Sequence, residues 1–90
     1  MALIRKVDCI RLYVPDLEAG LAFYRDRLGH SLTWRTETAA GLRLPESDAE
    51  LVLQTEDRRQ EVDLLVDSAD EAAKLVEQAG GKVIVPPFEI

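Results

Sequence analysis

Hydrophobic and polar residues alternate along residues 7–14. Ile10, Leu12 and Val14 share one parity, and Cys9, Arg11 and Tyr13 share the other. Successive side chains of a strand point to opposite faces, so this is a strand with one greasy face and one mixed face. Pro15 ends it. The period then lengthens. Leu17, Leu21, Tyr24 and Leu28 recur at helical spacing and predict a buried stripe. Asp16 is a suitable N-cap, and Gly29 supplies the left-handed residue that closes a helix running to Leu28. Strand candidates follow at residues 31–36, 41–44 and 50–55, split by turn-prone stretches at residues 39–41 and 45–48. In the last of them Leu51 and Leu53 take one face, and Glu50, Val52 and Gln54 the other.

Residues 56–60 form a charged connector, read as a solvated linker. Alternation resumes at residues 61–66, with Val62, Leu64 and Val66 opposed to Glu61, Asp63 and Leu65. Ser68 and Glu71 make a capping box, S-x-x-E. Its helix runs to about Ala79, with Ala72, Leu75, Val76 and Ala79 inward, and Gly80-Gly81 ends it. Lys82-Val83-Ile84-Val85 predicts a final strand, stopped by Pro86-Pro87.

The two halves repeat. The offset that lays Gly29 on Gly81 also lays Val14 on Val66, Asp16 on Ser68, Ile10 on Val62, Leu12 on Leu64 and Phe23 on Leu75. Both halves begin strand, cap, helix, glycine, strand, which is a structural repeat with little identity. The first unit reads β-α-β-β-β over about residues 7–55. The connector is 56–60, and the second unit covers about 61–90. A full copy of the first unit would carry two more short strands beyond residue 90, so a single domain over residues 1–90 with an incomplete second unit is expected.

The run Val14-Pro15-Asp16, with Phe23-Tyr24 in the helix and Leu28-Gly29 at its end, resembles the vicinal oxygen chelate superfamily. That group includes glyoxalase I, extradiol dioxygenases, fosfomycin-resistance thiol transferases and bleomycin-resistance proteins. Val66-Asp67-Ser68-Ala69-Asp70-Glu71 resembles the family's second strand–helix junction, and Gly80-Gly81-Lys82-Val83 its helix exit. The resemblance implies an α+β fold of paired β-α-β-β-β units, the glyoxalase/bleomycin resistance/dioxygenase fold. The sheets curl around an open cleft, with helices on the convex side. Ile10, Leu12, Leu51, Leu53, Val62 and Leu64 would then face helices. Cys9, Arg11, Tyr13, Glu50, Val52, Gln54, Glu61 and Asp63 would face the cleft.

Metal-using members hold a divalent ion with an early histidine, a glutamate closing the first unit, a histidine or glutamine opening the second, and a late glutamate. By resemblance these positions fall at Cys9, near Val52 between Glu50 and Gln54, at Glu61, and beyond residue 90. The pattern is broken at every place. Cys9 and Glu61 are the metal candidates that remain, and two ligands, one of them soft, do not make an oxygen-rich site. No cofactor is expected; a divalent metal belongs to the alternative reading below.

Composition narrows the partners. The 11 Lys+Arg against 17 Asp+Glu give a net charge of −6, which disfavours nucleic acid and anionic membranes. Apolar residues are 47% of the chain, the composition of a globular domain. Apolar runs are short and the N-terminus lacks the apolar core of a secretion signal. A single cysteine allows no intrachain disulfide and suits a reducing cytoplasm.

The remaining chemistry-bearing residues each have a plain reading. Cys9 is a small buried hydrophobe unless Arg11, two residues on, activates its thiol. His30, the one histidine, is an exposed turn residue. Trp34 and Tyr13 read either as core or interface aromatics or as platforms for a flat ligand. Glu50, Glu61 and Asp63 are solvated strand residues one by one, and an acidic cleft face together. Bleomycin-resistance-like members are acidic, dimeric, metal-free binders of a cationic drug. The reading that follows is a binder of a cationic or aromatic small molecule. Its contacts would come from Cys9, Arg11, Tyr13, Trp34, Glu50, Val52, Gln54, Glu61 and Asp63. The alternative is a metal-dependent lyase, isomerase or dioxygenase whose site is completed by missing strands or a partner chain. A dimerisation module is a third. An unpaired strand edge at residues 82–85 would recruit a second copy, so a homodimer is expected.

Overall fold

A computed structural model of the protein describes residues 2–87. The chain forms two compact units, Val7–Leu64 and residues 65–87 with residues 2–6. The larger unit carries a sheet of five strands: β1 (Lys6–Tyr13), β2 (Ser31–Arg35), β3 (Ala39–Leu44), β4 (Ser47–Gln54) and β5 (Glu61–Leu65). Their order across the sheet is β2-β3-β4-β1-β5. The run β2-β3-β4 is antiparallel, while β1 lies parallel to β4. A parallel neighbour needs a long crossover, and helix α1 (Leu17–Leu21) begins it.

One face of this sheet makes the core. Leu12 sits beside Leu53 and Ile10 beside Leu51 across β1 and β4; Ala40 and Leu42 on β3 pair with the same two leucines. Leu53 and Leu42 are fully buried with Leu21 and Ala40, Val14 and Leu17 are buried beside them, and Leu12, Tyr24 and Leu51 pack against this cluster. Gly20 lets α1 approach this closely. A Cβ there would lie 3.2 Å from the Val14 methyls and 3.3 Å from Leu53. Asp16 caps the helix by accepting from the Glu18 amide at 3.2 Å.

The first helix departs from the expected stripe at its end: Tyr24 still packs on the core, but Leu28 does not. Residues Ala22–Arg27 are π-helical, and the Leu28 amide donates five residues back to the Phe23 carbonyl at 2.9 Å. A π turn is wider than an α turn, so the apolar positions drift off the core. Leu28 is left 51% exposed and Phe23 49%. The turn predicted at residues 39–41 is instead strand. The bend comes earlier, where the Thr36 hydroxyl accepts from the amides of Thr38 and Ala39. That leaves Ala40 free to pair with Leu53.

In the smaller unit Ser68 caps α2 (Ala69–Gln78), its hydroxyl accepting from the Glu71 amide at 3.3 Å. Gly80 closes the helix with φ of 99°. Leu75 and Val76, expected to face inward, remain about half exposed. The strand predicted at residues 82–85 is not formed, because no ladder partner engages it, and Ile84 and Val85 are largely exposed. The sheet's edges are therefore β2 and β5. Val62 and Leu64 on β5, expected under a helix, are 57% and 46% exposed. Among the described residues no helix is long and apolar enough to cross a membrane.

Candidate functional site

Strand alternation turns the residues between the core leucines onto the sheet's other face. The register then decides which of them meet. Cys9 lies beside Glu50, Arg11 beside Val52, and Tyr13 beside Gln54. On the far side of β4, Gly41 pairs with Val52 and Arg43 with Glu50. Trp34 pairs with Gly41 in turn. Asp63 and Glu61 of β5 reach the same face through Cys9 and Arg11. The nine residues nominated from the sequence thus share one face of one sheet.

At the β2 side, a bulge between Leu32 and Trp34 breaks the alternation. Consecutive residues Thr33 and Trp34 consequently both reach Glu50. The Thr33 hydroxyl donates to Oε2 at 2.8 Å, and the Trp34 indole N–H donates to Oε1 at 2.7 Å. The indole lies directly on Gly41. A Cβ at that position would come within 2.1 Å of the indole nitrogen, so only glycine fits there. Trp34 keeps 37% of its surface exposed. Val52 is sealed into the floor at 2% exposure.

Gln54 is buried, and its amide works on the connector rather than on open space. Its oxygen accepts from the amides of Glu56 and Asp57 at 2.9 and 2.7 Å, and its nitrogen donates to the Asp57 carbonyl. Asp57 in turn holds the Arg59 amide and guanidinium. The connector is therefore an ordered turn. It carries Arg58 over the Tyr13 ring, 5.9 Å from its centroid.

At the β5 side the Cys9 thiol donates to Asp63 Oδ2 at 3.0 Å. Burial pushes this thiol up to about 12; the Asp63 hydrogen bond and the charges of Asp63 and Asp8 add to the rise, and Arg11 opposes it. A thiol held protonated is neither a nucleophile nor a thiolate ligand at neutral pH. Glu61 also titrates above the ordinary carboxylate range, chiefly through its hydrogen bond with Asp63, then through burial and the charge of Asp63, against the pull of Arg11. Arg11 Nε stands 3.8 Å from Glu61 Oε2.

These residues do not fit the divalent ion that the resemblance implies. One candidate ligand is a protonated thiol committed to Asp63, the other a carboxylate facing Arg11, and the position between them is the apolar Val52. Among the described residues no three His, Cys, Asp or Glu side chains converge as a metal set.

His30 sits at the turn into β2, where its Nδ1 donates to the Arg43 carbonyl at 3.2 Å. Beside it the β3–β4 hairpin encloses a cleft of about 490 Å³, bordered by Thr33, Arg43, Glu46 and Glu50. Thr33, Gly41 and Arg43 escaped the sequence reading. The Thr33 bulge and the Gly41 contact are properties of paired strands. Arg43 alone left a signal, since it has the outward parity relative to Leu42 and Leu44.

A search of curated proteins finds no match. Among solved structures, the chain is similar to the methylmalonyl-CoA epimerase from Mycobacterium tuberculosis. The TM-score is 0.71 at 20% identity, over 89% of this chain and 67% of that one. At that identity the likeness establishes the fold. The model of the Glyoxalase/Bleomycin resistance protein/Dioxygenase superfamily matches residues 6–89. With the β-α-β-β-β sheet already in place, that match makes this chain a member of the superfamily.

Proposed function

We propose that this chain binds a cationic or aromatic small molecule on the open face of its sheet, without the superfamily's metal. The observation that carries the reading is Trp34. Its indole is laid on Gly41, tethered to Glu50 and still 37% exposed. A ring fixed in advance loses little freedom on stacking with a ligand. Its π-face favours flat or cationic groups, and the carboxylates of Glu50, Glu61 and Asp63 on the same face favour positive charge.

Trp34 is the one tryptophan of the chain, so emission excited beyond the absorption of Tyr13 and Tyr24 reports on it alone. Titration with N-methylacridinium, a flat organic cation, is expected to quench that emission saturably. Gly41→Ala must displace the indole, so it should shift the emission and weaken the probe by roughly tenfold, the scale of one lost stacking contact. Absence of saturable quenching, or quenching indifferent to Gly41→Ala, overturns the reading. Metal content is the second check. Protein exposed to Mn, Fe, Ni and Zn and then desalted should retain none by elemental mass spectrometry. Near-stoichiometric metal would put the metal-dependent lyase, isomerase or dioxygenase ahead.

A further inference from the structure

The cleft at the β3–β4 hairpin holds charged groups that the reading above leaves unused. Arg43 leaves β3 on the ligand-binding face directly across from Glu50. Glu50 already accepts one hydrogen bond on each oxygen, from Thr33 and Trp34. Arg5, Arg11, Arg25, Arg35 and Arg59 each pair with a carboxylate. Arg43, like Arg27 and Arg58, makes no such pair among the described residues, but of these three it is the one that borders the cleft, together with Glu46, Asp48 and Glu50. Glu46, in the hairpin turn, likewise makes no ion pair there. The cleft's volume of about 490 Å³ lies within the usual range for small-molecule sites. The rim is shaped by a bulge between Arg43 and Leu44 and by the Ser47 hydroxyl, which accepts from the Ala49 amide at 3.0 Å.

A guanidinium and a carboxylate that face one cleft without meeting can be joined by a ligand carrying both charges. A purely anionic group would be repelled by the cleft's three carboxylates, and a purely cationic one would leave Arg43 without a counter-charge. Resting on the binding reading above, we infer that the hairpin cleft receives the zwitterionic head of the ligand, its carboxylate on Arg43 and its ammonium on Glu46. The ligand class is an aromatic aminocarboxylate. Thr33 and Glu50 border the cleft and also hold Trp34, so a ring attached to that head is directed to the indole. Arg43 gives a paired, charge-assisted contact that an alkylammonium side chain would not reproduce.

Calorimetric titration with L-tryptophan, tryptamine and indole-3-propionate separates the charges while keeping the ring. L-Tryptophan should bind at least roughly tenfold tighter than either analogue, the scale of one charge-assisted hydrogen bond. Arg43→Gln should reduce L-tryptophan to the affinity of tryptamine and leave tryptamine unweakened. Glu46→Gln should reduce it to the affinity of indole-3-propionate. Both positions are exposed, and an unchanged circular dichroism spectrum checks each variant's fold. Tryptamine binding as tightly as L-tryptophan, or L-tryptophan indifferent to Arg43→Gln, overturns the inference. If N-methylacridinium still quenches Trp34 in that case, the binding reading stands alone; if no probe binds, both fall.

Discussion

Cys9 shows how far a residue's character depends on its neighbours. By itself it is a small thiol on a strand. Paired with Asp63 and half-buried, it holds its proton up to about 12. A thiol of this kind should react slowly with Ellman's reagent at pH 8 in the folded protein and readily in urea. Asp63→Asn removes a cause of the rise and should speed the folded-state reaction. The same shift has a consequence for stability. The thiol's ordinary value is 9.0, so below pH 9 both folded and unfolded chains keep the proton. Between pH 9 and 12 the unfolded chain ionises first, and folding stability falls as pH rises. Urea midpoints across that range should decline, and Cys9→Ser should flatten this part of the decline. An unchanged slope in Cys9→Ser would remove the thiol from the account.

At the scale of elements, packing decides which apolar residues matter. Leu53 on β4 and Val62 on β5 look alike in sequence, each at an inward position of an alternating strand. Leu53 is fully buried between α1 and the neighbouring strands, whereas Val62 is 57% exposed. Leu53→Ala should therefore cost about 2–5 kcal/mol, and Val62→Ala less than about 1 kcal/mol, as read from urea denaturation. Equal losses would mean that β5 is covered in solution. The alternation predicted both strands and both parities; it carried no information on what lies above each face. The first helix teaches the same lesson. Its cap and closing glycine are local and were legible, while the π turns that expose Phe23 and Leu28 were not.

For the whole molecule the balance is narrow. A chain of 90 residues buries about 60–65% of its unfolded surface, and the apolar side chains buried among the described residues number seven. Against that small core, Val62, Leu64 and Leu65 stand exposed on β5, an open edge of the sheet. Edges of this kind attract a further strand or a second copy. Light scattering at micromolar concentration should give about twice the chain mass of 10.1 kDa. Replacing both Val62 and Leu64 by lysine should return the single-chain mass. A wild-type monomer would contradict the association.

Periodicity, caps and turn residues are written in short stretches of chain. The sequence alone therefore determined the five strands of the sheet, both helix starts, the parity of the sheet's two faces and membership of a β-α-β-β-β family. Pairing belongs to no single stretch. Register brought Cys9 to Asp63 and Arg43 across from Glu50, a bulge turned Thr33 and Trp34 the same way, and Gly41 earned its place only once an indole lay on it. The segment at residues 82–85 marks the boundary from the other side. Its residues favour a strand, but a strand exists only where a neighbour accepts its hydrogen bonds, and that is settled in three dimensions.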